Sequence, residues 1–520
     1  MSPQPKLADS LKALHALQRQ GVLAIRSRDL SRTHRERLLA NGFLRVVIKG
    51  WYVASRPDEA AGDSTPWYAS FWDFCAAYLN ERFGDEWCLS PEQSLWFHGG
   101  SRTVPAQLLV RAPRGGNKPT ALPHGTSLFD VRASMPDETE IVVQDGLRLY
   151  SPAAGLVAVA EDFFRRHPTD ARAAMTTVKD ASDVLSLLLK GGHSTIAGRL
   201  SGAFRNTGNT RIADDIVRTM AAAGFAVRET DPFETAPGGL VVTRQESPYV
   251  NRIRLMWDAM RGPVIQAFPA PPGIPGDAAA YLKAVEDVYV NDAYHSLSIE
   301  GYRVSAALIE RVRSGGWDPE GNAEDRENRN ALAARGYYDA FQGVKASVER
   351  VLRGDNPGAV AHDDHAEWYR RLFGPSVTAG IIAATDLAGY RSGPVFIRRS
   401  KHVPPPREAV RDCMPALFEL LDAEPEAGVR VVLGHFVFVY IHPYIDGNGR
   451  MGRFLMNAML ASGGYPWTVI PLERLDDYMA ALEAASVGQD IAPFAAFVGG
   501  LVRDALSGKP VAPVPPHAAG

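Results

Sequence analysis

The stretch HPYIDGNGRMGR, from His442 to Arg453, follows the apolar run VVLGHFVFVYI and precedes the helical pattern RFLMNAMLASGG. Its glycines let the backbone of a tight turn point successive N–H groups one way, which forms a cradle for an anion. The cradle lies at the start of the next helix, where phosphate is also favoured. On that helix Arg450, Arg453 and Asn457 share one face. The pattern therefore predicts a polyphosphate site between two buried helices.

Two further side chains of this stretch suit phosphate chemistry. Asp446 offers a hard oxygen ligand for Mg²⁺, which proteins usually bind through one or two carboxylates together with substrate phosphates. His442, at the end of the preceding helix, can act as a proton acceptor. A capped helix end with surface arginines would explain the glycines but not the convergence of the other groups. A metal site built from His442 and Asp446 is a weaker alternative, because Arg450 and Arg453 would repel the cation.

The same stretch resembles the signature of the Fic family, HPFx(D/E)GNGRxxR, with Tyr444 where the signature has Phe. The resemblance extends over residues 245–505 and includes GYRSGPVFI and ERLDDYMAALEAASVGQD. It implies a mainly α-helical domain that transfers AMP from ATP to a protein hydroxyl with the help of Mg²⁺. The resemblance implies that His442 is a general base and that Asp446 is a Mg²⁺ ligand. It implies an anion hole at Gly447, Asn448 and Gly449. It also implies nucleotide contacts at Arg450, Arg453 and Tyr478, and Asn457 shares the helix face of the two arginines.

An upstream hexapeptide, SLSIEG, is similar to the inhibitory motif (S/T)xxxE(G/N) of the same family. Its Ser296 and Glu300 are four residues apart, which places them on one face of a helix. The resemblance implies that the Glu300 carboxylate reaches Arg453 and takes the place of the γ-phosphate of ATP. The alternative is an ordinary helix C-terminus at Gly301.

A second short stretch, GPVFI, resembles the family's flap over the active site. A flap with free backbone groups would add the chain of a target protein as an extra strand, so we expect a β-hairpin here. A buried hairpin without a docking role is the alternative. The predicted flap residues are Gly393, Pro394, Val395, Phe396 and Ile397.

The N-terminal part, residues 8–54, has the order of a winged helix: a helix, two short helices joined by a turn, and a strand pair around Lys49–Gly50. Between residues 26 and 49 there are seven basic and two acidic residues, a local net charge of +5 in a chain whose net charge is −3. Such a patch suits DNA phosphates, although a protein-binding or purely structural winged helix is an equal alternative. The predicted DNA contacts are Arg26, Arg28, Arg32, Arg35 and Arg37.

Residues 65–225 mix strand patterns with helix patterns and contain no catalytic constellation. Together with the winged helix they resemble the AbiEi family of antitoxin-type regulators, through GVLAIRSRDL, RERLLANGFLRVVIKGWYV and LRLYSPAAGLVAVAEDFF. The resemblance implies DNA binding and a link to transcriptional or toxin–antitoxin control. The predicted domains are thus 8–54, 65–225 and the Fic-like domain at 240–506, followed by a disordered tail at 507–520.

Composition limits the classes of protein that remain. Hydrophobic residues make up 46% of the 520 residues and charged residues 22%, as in soluble globular chains. The three cysteines have no metal-type spacing, and the N-terminus lacks the apolar core of a signal peptide, so we expect a cytoplasmic protein without a membrane span. Two other functions stay open: a DNA-binding regulator whose Fic-like domain senses nucleotide, and an enzyme that removes AMP with Glu300. A homo-oligomer is left open too.

Overall fold

The structure is a computed structural model that describes residues 3–57, 63–234, 247–318, 329–510 and 513–514. The chain divides into two compact units, one formed by Met1–Arg252 with Phe396–Val403 and the other by Ile253–Val395 with Pro404–Gly520. More than half of the predicted tail at 507–520 lies outside the described residues. In the part of the chain that is described, no helix is long and apolar enough to cross a membrane.

The first unit begins with a small sheet in the strand order β1-β3-β2, in which both pairings are antiparallel. The hairpin predicted around Lys49–Gly50 is present, with a positive φ of 89° at Gly50. Only one of the two short helices predicted over 27–42 forms, because residues 27–30 make a turn whose Asp29 carboxylate accepts from Arg26 N instead. The winged-helix assignment stays a prediction. The elements are Pro3–Arg19 (α1), Ala24–Arg26 (β1), Arg32–Ala40 (α2), Leu44–Ile48 (β2) and Trp51–Ala54 (β3).

A four-stranded sheet in the order β4-β5-β7-β6 follows, with β5 and β7 parallel and the other pairings antiparallel. One face of this sheet is buried under an aromatic-rich helix, α3, through Trp67, Phe71 and Phe74. The strands predicted at AQLLVRAP, SLFDVRAS and EIVVQDGLRLY all form. The elements are Thr65–Phe83 (α3), Cys88–Leu89 (β4), Pro91–His98 (α4), Gln107–Ala112 (β5), Pro119–Ala121 (β6), Ser127–Arg132 (β7), Ile141–Gln144 (β8) and Leu147–Tyr150 (β9).

Short helices complete the first unit around a second apolar core. The helix predicted over PAAGLVAVAEDFFRRH is interrupted after Ala158, where Val159 adopts an extended backbone. Ser151 caps the first piece by accepting from Ala154 N. The helices are Pro152–Ala158 (α5), Asp162–Arg166 (α6), Pro168–Met175 (α7), Ala181–Gly191 (α8), Ser194–Asn206 (α9) and Thr210–Ala222 (α10).

The second unit is built from helices, as the sequence predicts for this region. Aromatic pairs such as Tyr289 with Phe341 and Tyr337 with Phe454 join its central helices. The helices are Pro248–Ala267 (α11, which contains the boundary between the units), Ala278–Ile299 (α12), Ala306–Arg313 (α13), Arg329–Leu352 (α14), Pro357–Thr378 (α15), Arg407–Ala423 (α16), Ala427–Ile441 (α17), Asn448–Ala461 (α18), Leu475–Gly488 (α19) and Ala492–Leu506 (α20).

The β-hairpin predicted at Gly393–Ile397 is wrong. Residues 393–397 contain no strand and pair with no strand among the described residues. Prolines bracket this stretch, at Pro394 and at Pro404–Pro406, and proline cannot donate to a strand ladder. The stretch is therefore an irregular connection between α15 and α16.

Candidate active site

The loop between α17 and α18 carries the sequence motif, and it starts at a strained residue. Helix α17 is apolar along nearly its whole length because almost all of it is buried. It ends at His442, which has a left-handed backbone with φ of 53° and donates its N–H to the Phe438 carbonyl at 3.0 Å. This conformation is uncommon for residues other than glycine, and it turns the chain sharply out of the helix.

The loop is held by one amide side chain and one aromatic stack. Asn448 accepts from Tyr444 N at 2.9 Å and donates to Tyr444 O at 2.8 Å. The Tyr444 ring lies parallel to Tyr369, with ring centroids 3.7 Å apart. The Asn448 side chain therefore closes the turn, and only its backbone N–H is left to serve an anion.

Two glycines of the motif lie in close contact with their surroundings, and the positive φ of Gly447 also favours glycine there. Gly447 has φ of 80°, and a Cβ there would lie 2.7 Å from Cε2 of Phe373. A Cβ at Gly449 would lie 2.4 Å from Oε1 of Glu300. Helix α18 makes its first intrahelical bond from Met451 N to Gly447 O, so the preceding N–H groups are those that a helix start offers to an anion. The carboxylate of Glu300 lies at this helix start.

Glu300 forms an ion pair with Arg453. Arg453 Nη2 donates to Glu300 Oε1 at 2.7 Å, while its Nε donates to Ser296 Oγ at 2.8 Å and its Nη2 to Ser296 O at 3.0 Å. Burial opposes ionisation of Glu300, but the charges of Arg453 and Arg450 lower the pKa of Glu300 below its ordinary value. The end of α12 thus binds the fork of Arg453 through three hydrogen bonds.

Arg450 is buried beside this pair. Only 1% of it is exposed, and its guanidinium lies over the rings of Tyr302 and Phe373, 5.2 and 5.0 Å from their centroids. Its Nη2 lies 3.4 Å from Asp446 Oδ2, and its Nε has no hydrogen-bond partner among the described residues. A buried donor without a partner is costly, and the guanidinium adds positive charge beside the start of α18.

One hydrogen bond and burial set the protonation state of the His442 ring. Its Nδ1 lies 3.2 Å from the Val439 carbonyl, which can only accept, so Nδ1 carries the proton and Nε2 keeps its lone pair. Burial lowers the pKa of His442 to about 4, and the charge of Arg391 acts in the same direction. The ring is therefore neutral at physiological pH.

Asp446 is the exposed acid of the loop. Its side chain is 55% exposed, and its Oδ1 accepts from Gly447 N at 2.6 Å. Among the described residues, no three His, Cys, Asp or Glu side chains gather to hold a metal without further ligands. One exposed carboxylate next to an anion cradle fits a cation that takes its other ligands from phosphates and water.

Two residues predicted to contact the nucleotide form hydrogen bonds with other parts of the protein. The Asn457 amide donates to the carbonyls of Arg453 and Thr468 and accepts from Thr468 N at 2.8 Å. It ties α18 to the following loop, and its contact with a nucleotide stays a prediction. Tyr478 is 2% exposed, and its hydroxyl lies 2.7 Å from His435 Nε2. Burial raises the pKa of Tyr478 to about 12, and the positive charge of the nearby Arg453 partly opposes this rise.

Sequence reasoning missed Arg391, which contacts the start of the His442–Arg453 loop. Arg391 is 4% exposed, and its Nε donates to the His442 carbonyl at 2.8 Å. The only signal was its place in GYRSGPVFI, directly before the stretch that resembles the flap. A buried arginine two residues before a Gly-Pro turn gives no spacing that points to His442, which is 51 residues later.

The arginines predicted to contact DNA already have partners in the first unit. Arg26 and Arg28 share the Glu81 carboxylate at 3.0 Å, and Arg32 bonds Glu36 at 2.7 Å. The two others donate to backbone carbonyls, Arg35 to that of Ser27 and Arg37 to that of Lys6. The Glu81 and Glu36 carboxylates reduce the net charge of the patch, whereas the carbonyl contacts of Arg35 and Arg37 do not, and DNA binding stays a prediction.

Comparison with known proteins concerns the same C-terminal region. Residues 361–460 match the Fic/DOC family, and this range contains the His442–Arg453 loop. The sequence is 31% identical over 229 residues to a protein adenylyltransferase Fic of Nematostella vectensis, across 43% of this chain and 49% of that protein. It is 28% identical over 232 residues to the protein of the same name from Drosophila willistoni, across 44% of this chain and 43% of that protein. The matched region spans about half the length of these relatives.

Solved structures of Fic proteins are also similar. The match to Fic-1 from C. elegans covers 66% of this chain and 96% of the Fic-1 chain, with 18% sequence identity and a TM-score of 0.38. A Fic family protein from Desulfovibrio desulfuricans has 22% identity and a TM-score of 0.33. Scores of this size do not establish a shared overall architecture.

Proposed function

We propose that the protein is an autoinhibited protein adenylyltransferase, which transfers AMP from ATP to a hydroxyl side chain of another protein. The observation that carries this proposal is the position of a neutral His442, with Nε2 free, on the loop that opens the anion-binding start of α18. A base and a phosphate cradle on one rigid loop suit the attack of a hydroxyl on a phosphate.

In the proposed reaction the acceptor hydroxyl oxygen attacks the α-phosphorus of ATP. The bond from that phosphorus to the oxygen bridging to the β-phosphate breaks, pyrophosphate leaves, and the hydroxyl proton passes to His442 Nε2. The N–H groups at the start of α18 hold the α- and β-phosphates, and Arg453 pairs with the γ-phosphate. Arg450 supports the phosphates with its charge from the buried side of the loop. Its Nε has no hydrogen-bond partner among the described residues.

Asp446 is the residue that would hold Mg²⁺. The exposed carboxylate fits a cation that completes its shell with phosphate oxygens and water. When bound, Mg²⁺ neutralises charge that develops on the phosphates.

The resting state would be inhibited because Glu300 occupies Arg453. The γ-phosphate and the Glu300 carboxylate are both anions suited to the same guanidinium fork, and two like charges cannot share it closely. Glu300 is part of the same chain, so its effective concentration is high. ATP would then bind with its phosphates displaced, which lowers the rate more than the affinity.

The direct test of the base is His442→Ala in the Glu300→Gly background. We expect AMP transfer to fall by about 10²–10⁴-fold, because the proton acceptor is lost, while the affinity for ATP changes little. Transfer is followed with ATP labelled on the α-phosphate, and affinity by calorimetry on the same preparation. Near-native transfer by the Ala variant would show that His442 is not the base.

A second candidate activity is the hydrolytic removal of AMP from a modified protein. It is favoured by the ionised state of Glu300, whose side chain is one-quarter exposed and can accept a proton from water. Water would attack the phosphorus of the AMP group, and the bond to the protein oxygen would break. If Glu300→Gly loses AMP removal instead of gaining AMP transfer, this second activity is the correct one.

A further inference from the structure

Arg391 is the most unusual buried charge of the second unit. Its side chain donates to four backbone carbonyls: Nε to His442, Nη1 to Gly393, and Nη2 to Pro405 and Ile441. No carboxylate lies within ion-pair distance of it among the described residues. Burial lowers the pKa of Arg391 to about 10. A guanidinium buried without a counter-charge is costly, so its four acceptors must compensate for the lost water.

Two of these acceptors lie at the C-terminal end of α17. The carbonyls of Ile441 and His442 belong to the last turn of α17, where a helix leaves carbonyls without intrahelical donors and where its dipole favours a cation. The backbone N–H of Arg391 adds a bond to the Pro443 carbonyl at 2.9 Å. One residue therefore fixes three consecutive carbonyls at the start of the catalytic loop.

The other two acceptors bracket the stretch that resembles the flap. Gly393 is the first residue of that stretch and Pro405 lies beyond its end, and the carbonyls of both accept from the guanidinium of Arg391. Within the second unit, Arg391 thus ties Gly393 and Pro405 to the start of the His442 loop.

We propose that Arg391 is a positioning residue for AMP transfer, which holds the His442 backbone, Gly393 and Pro405 in one fixed arrangement within the second unit. The inference rests on the proposed function. His442 must reach the acceptor hydroxyl within hydrogen-bond distance, and Arg391 binds the backbone that carries the His442 ring. Arg391 touches neither ATP nor the acceptor, and it acts through the backbone that carries the base.

The expected effect of losing Arg391 is on rate. A displacement of about 1 Å between reacting groups can lower a rate roughly 100-fold. ATP affinity should change by less than about twofold, because the phosphate contacts come from α18 and not from the carbonyls that Arg391 binds. Arg391→Lys keeps the charge but loses the fork, so we expect an intermediate loss of about tenfold.

Arg430 offers a matched control. It is 9% exposed, lies in the first turn of the same helix, and donates to the Glu424 carbonyl and to Ser462 Oγ. At twelve residues before His442 it lies about 18 Å along the helix from the base. Burial also lowers its pKa. Arg430→Met removes a comparable buried guanidinium and should leave the rate of transfer unchanged even if it lowers the melting temperature.

The experiment compares Arg391→Met, Arg391→Lys and Arg430→Met, each in the full-length Glu300→Gly chain. The acceptor is a separately tagged His442→Ala copy of the chain, and incorporation of labelled AMP gives kcat and KM for that acceptor. Calorimetry gives the ATP affinity, and thermal unfolding gives stability. The proposal expects kcat to fall about 100-fold for Met and about tenfold for Lys at unchanged ATP affinity.

Each other outcome has a defined meaning. The positioning role is refuted if kcat of Arg391→Met stays within about threefold of the reference. It is also refuted if Arg430→Met lowers kcat as much as Arg391→Met does. If Arg391→Met does not fold, Arg391→Lys decides alone, and native kcat in that variant refutes the role. If the Glu300→Gly reference modifies no acceptor although it binds ATP, the adenylyltransferase proposal itself has failed, and the Arg391 proposal fails with it.

Discussion

Two groups of arginines in this chain differ in their surroundings. At the His442–Arg453 loop, Arg450 and Arg453 are 1% and 3% exposed and lie in the first turns of α18. In the first unit, the side chains of Arg28 and Arg32 are 64% and 83% exposed and pair with acidic neighbours. A buried guanidinium interacts strongly with any anion that enters, whereas an exposed ion pair contributes little. Local charge counts therefore mislead unless burial is known.

The strongest test of this contrast is Arg453→Ala. We expect AMP transfer to fall by roughly 10²–10³-fold both in the native chain and in the Glu300→Gly chain, because the change deletes the group for which Glu300 and the γ-phosphate compete. Arg453→Lys should retain more activity, since it keeps the charge but not the fork. Steady-state transfer at saturating ATP measures both. Equal activity of the Ala variant and its parent would remove Arg453 from the phosphate site.

Glu300→Gly tests the anion that holds Arg453 at rest. Losing a charge-assisted hydrogen bond of about 1.5–3 kcal/mol should raise AMP transfer by about 10–100-fold. The Ser296 bonds to Arg453 remain, so the helix end should stay in place. Glu310→Gln is the control, because Glu310 pairs with Arg313 at 2.7 Å as an ion pair within α13. A rise of the same size in the control would argue against specific autoinhibition.

Buried histidines make stability depend on pH. Burial lowers the pKa of His435 and of His442 to about 4, and it lowers those of His98 and His365 in the same direction. The unfolded chain takes up protons below a pH of about 6.5, whereas the folded chain does so only near their lowered pKa values. Stability should therefore fall as pH drops from 6.5 toward 4, by up to about 1.4 kcal/mol per pH unit for each fully buried ring.

The measurement is the midpoint of thermal unfolding at several pH values between 7 and 4.5. His435→Gln, which removes one buried imidazole, should reduce the slope below pH 6.5. An unfolding midpoint that does not change across this range, in the native chain, would contradict the assignment of neutral buried rings.

The smallest expected effect concerns the exposed arginines. If the first unit binds duplex DNA, Glu81→Gln should strengthen binding about threefold at low salt, because Arg26 and Arg28 lose the carboxylate that they share. The gain should vanish as salt rises, since phosphate contacts displace counterions. Titrations of the full-length chain with a duplex from its own operon, at two salt concentrations, measure both. A DNA affinity that changes neither with salt concentration nor with Glu81→Gln would favour a protein-binding or structural role for this unit.

Much of the candidate site could be predicted from the sequence because its parts are local. The glycines, Asp446 and His442 lie within eight positions, and the turn brings them together. The spacing of Ser296 and Glu300 fixes one helix face, and the structure places both on Arg453. The hairpin at 393–397 failed for the opposite reason: a strand needs a partner, and a short β-like pattern does not supply one.

What the sequence determined by itself was the tight His442–Arg453 loop, the helical character of the region around it and the face on which Ser296 and Glu300 lie. Only the tertiary structure decided that Asn457 faces Thr468, that Arg391 binds the His442 carbonyl, and that Glu81 shares two arginines 53 and 55 residues away. Neighbouring residues set turns and helix faces through backbone geometry. A buried polar side chain takes whichever partner the packing of distant elements brings within reach, and no local pattern records that choice.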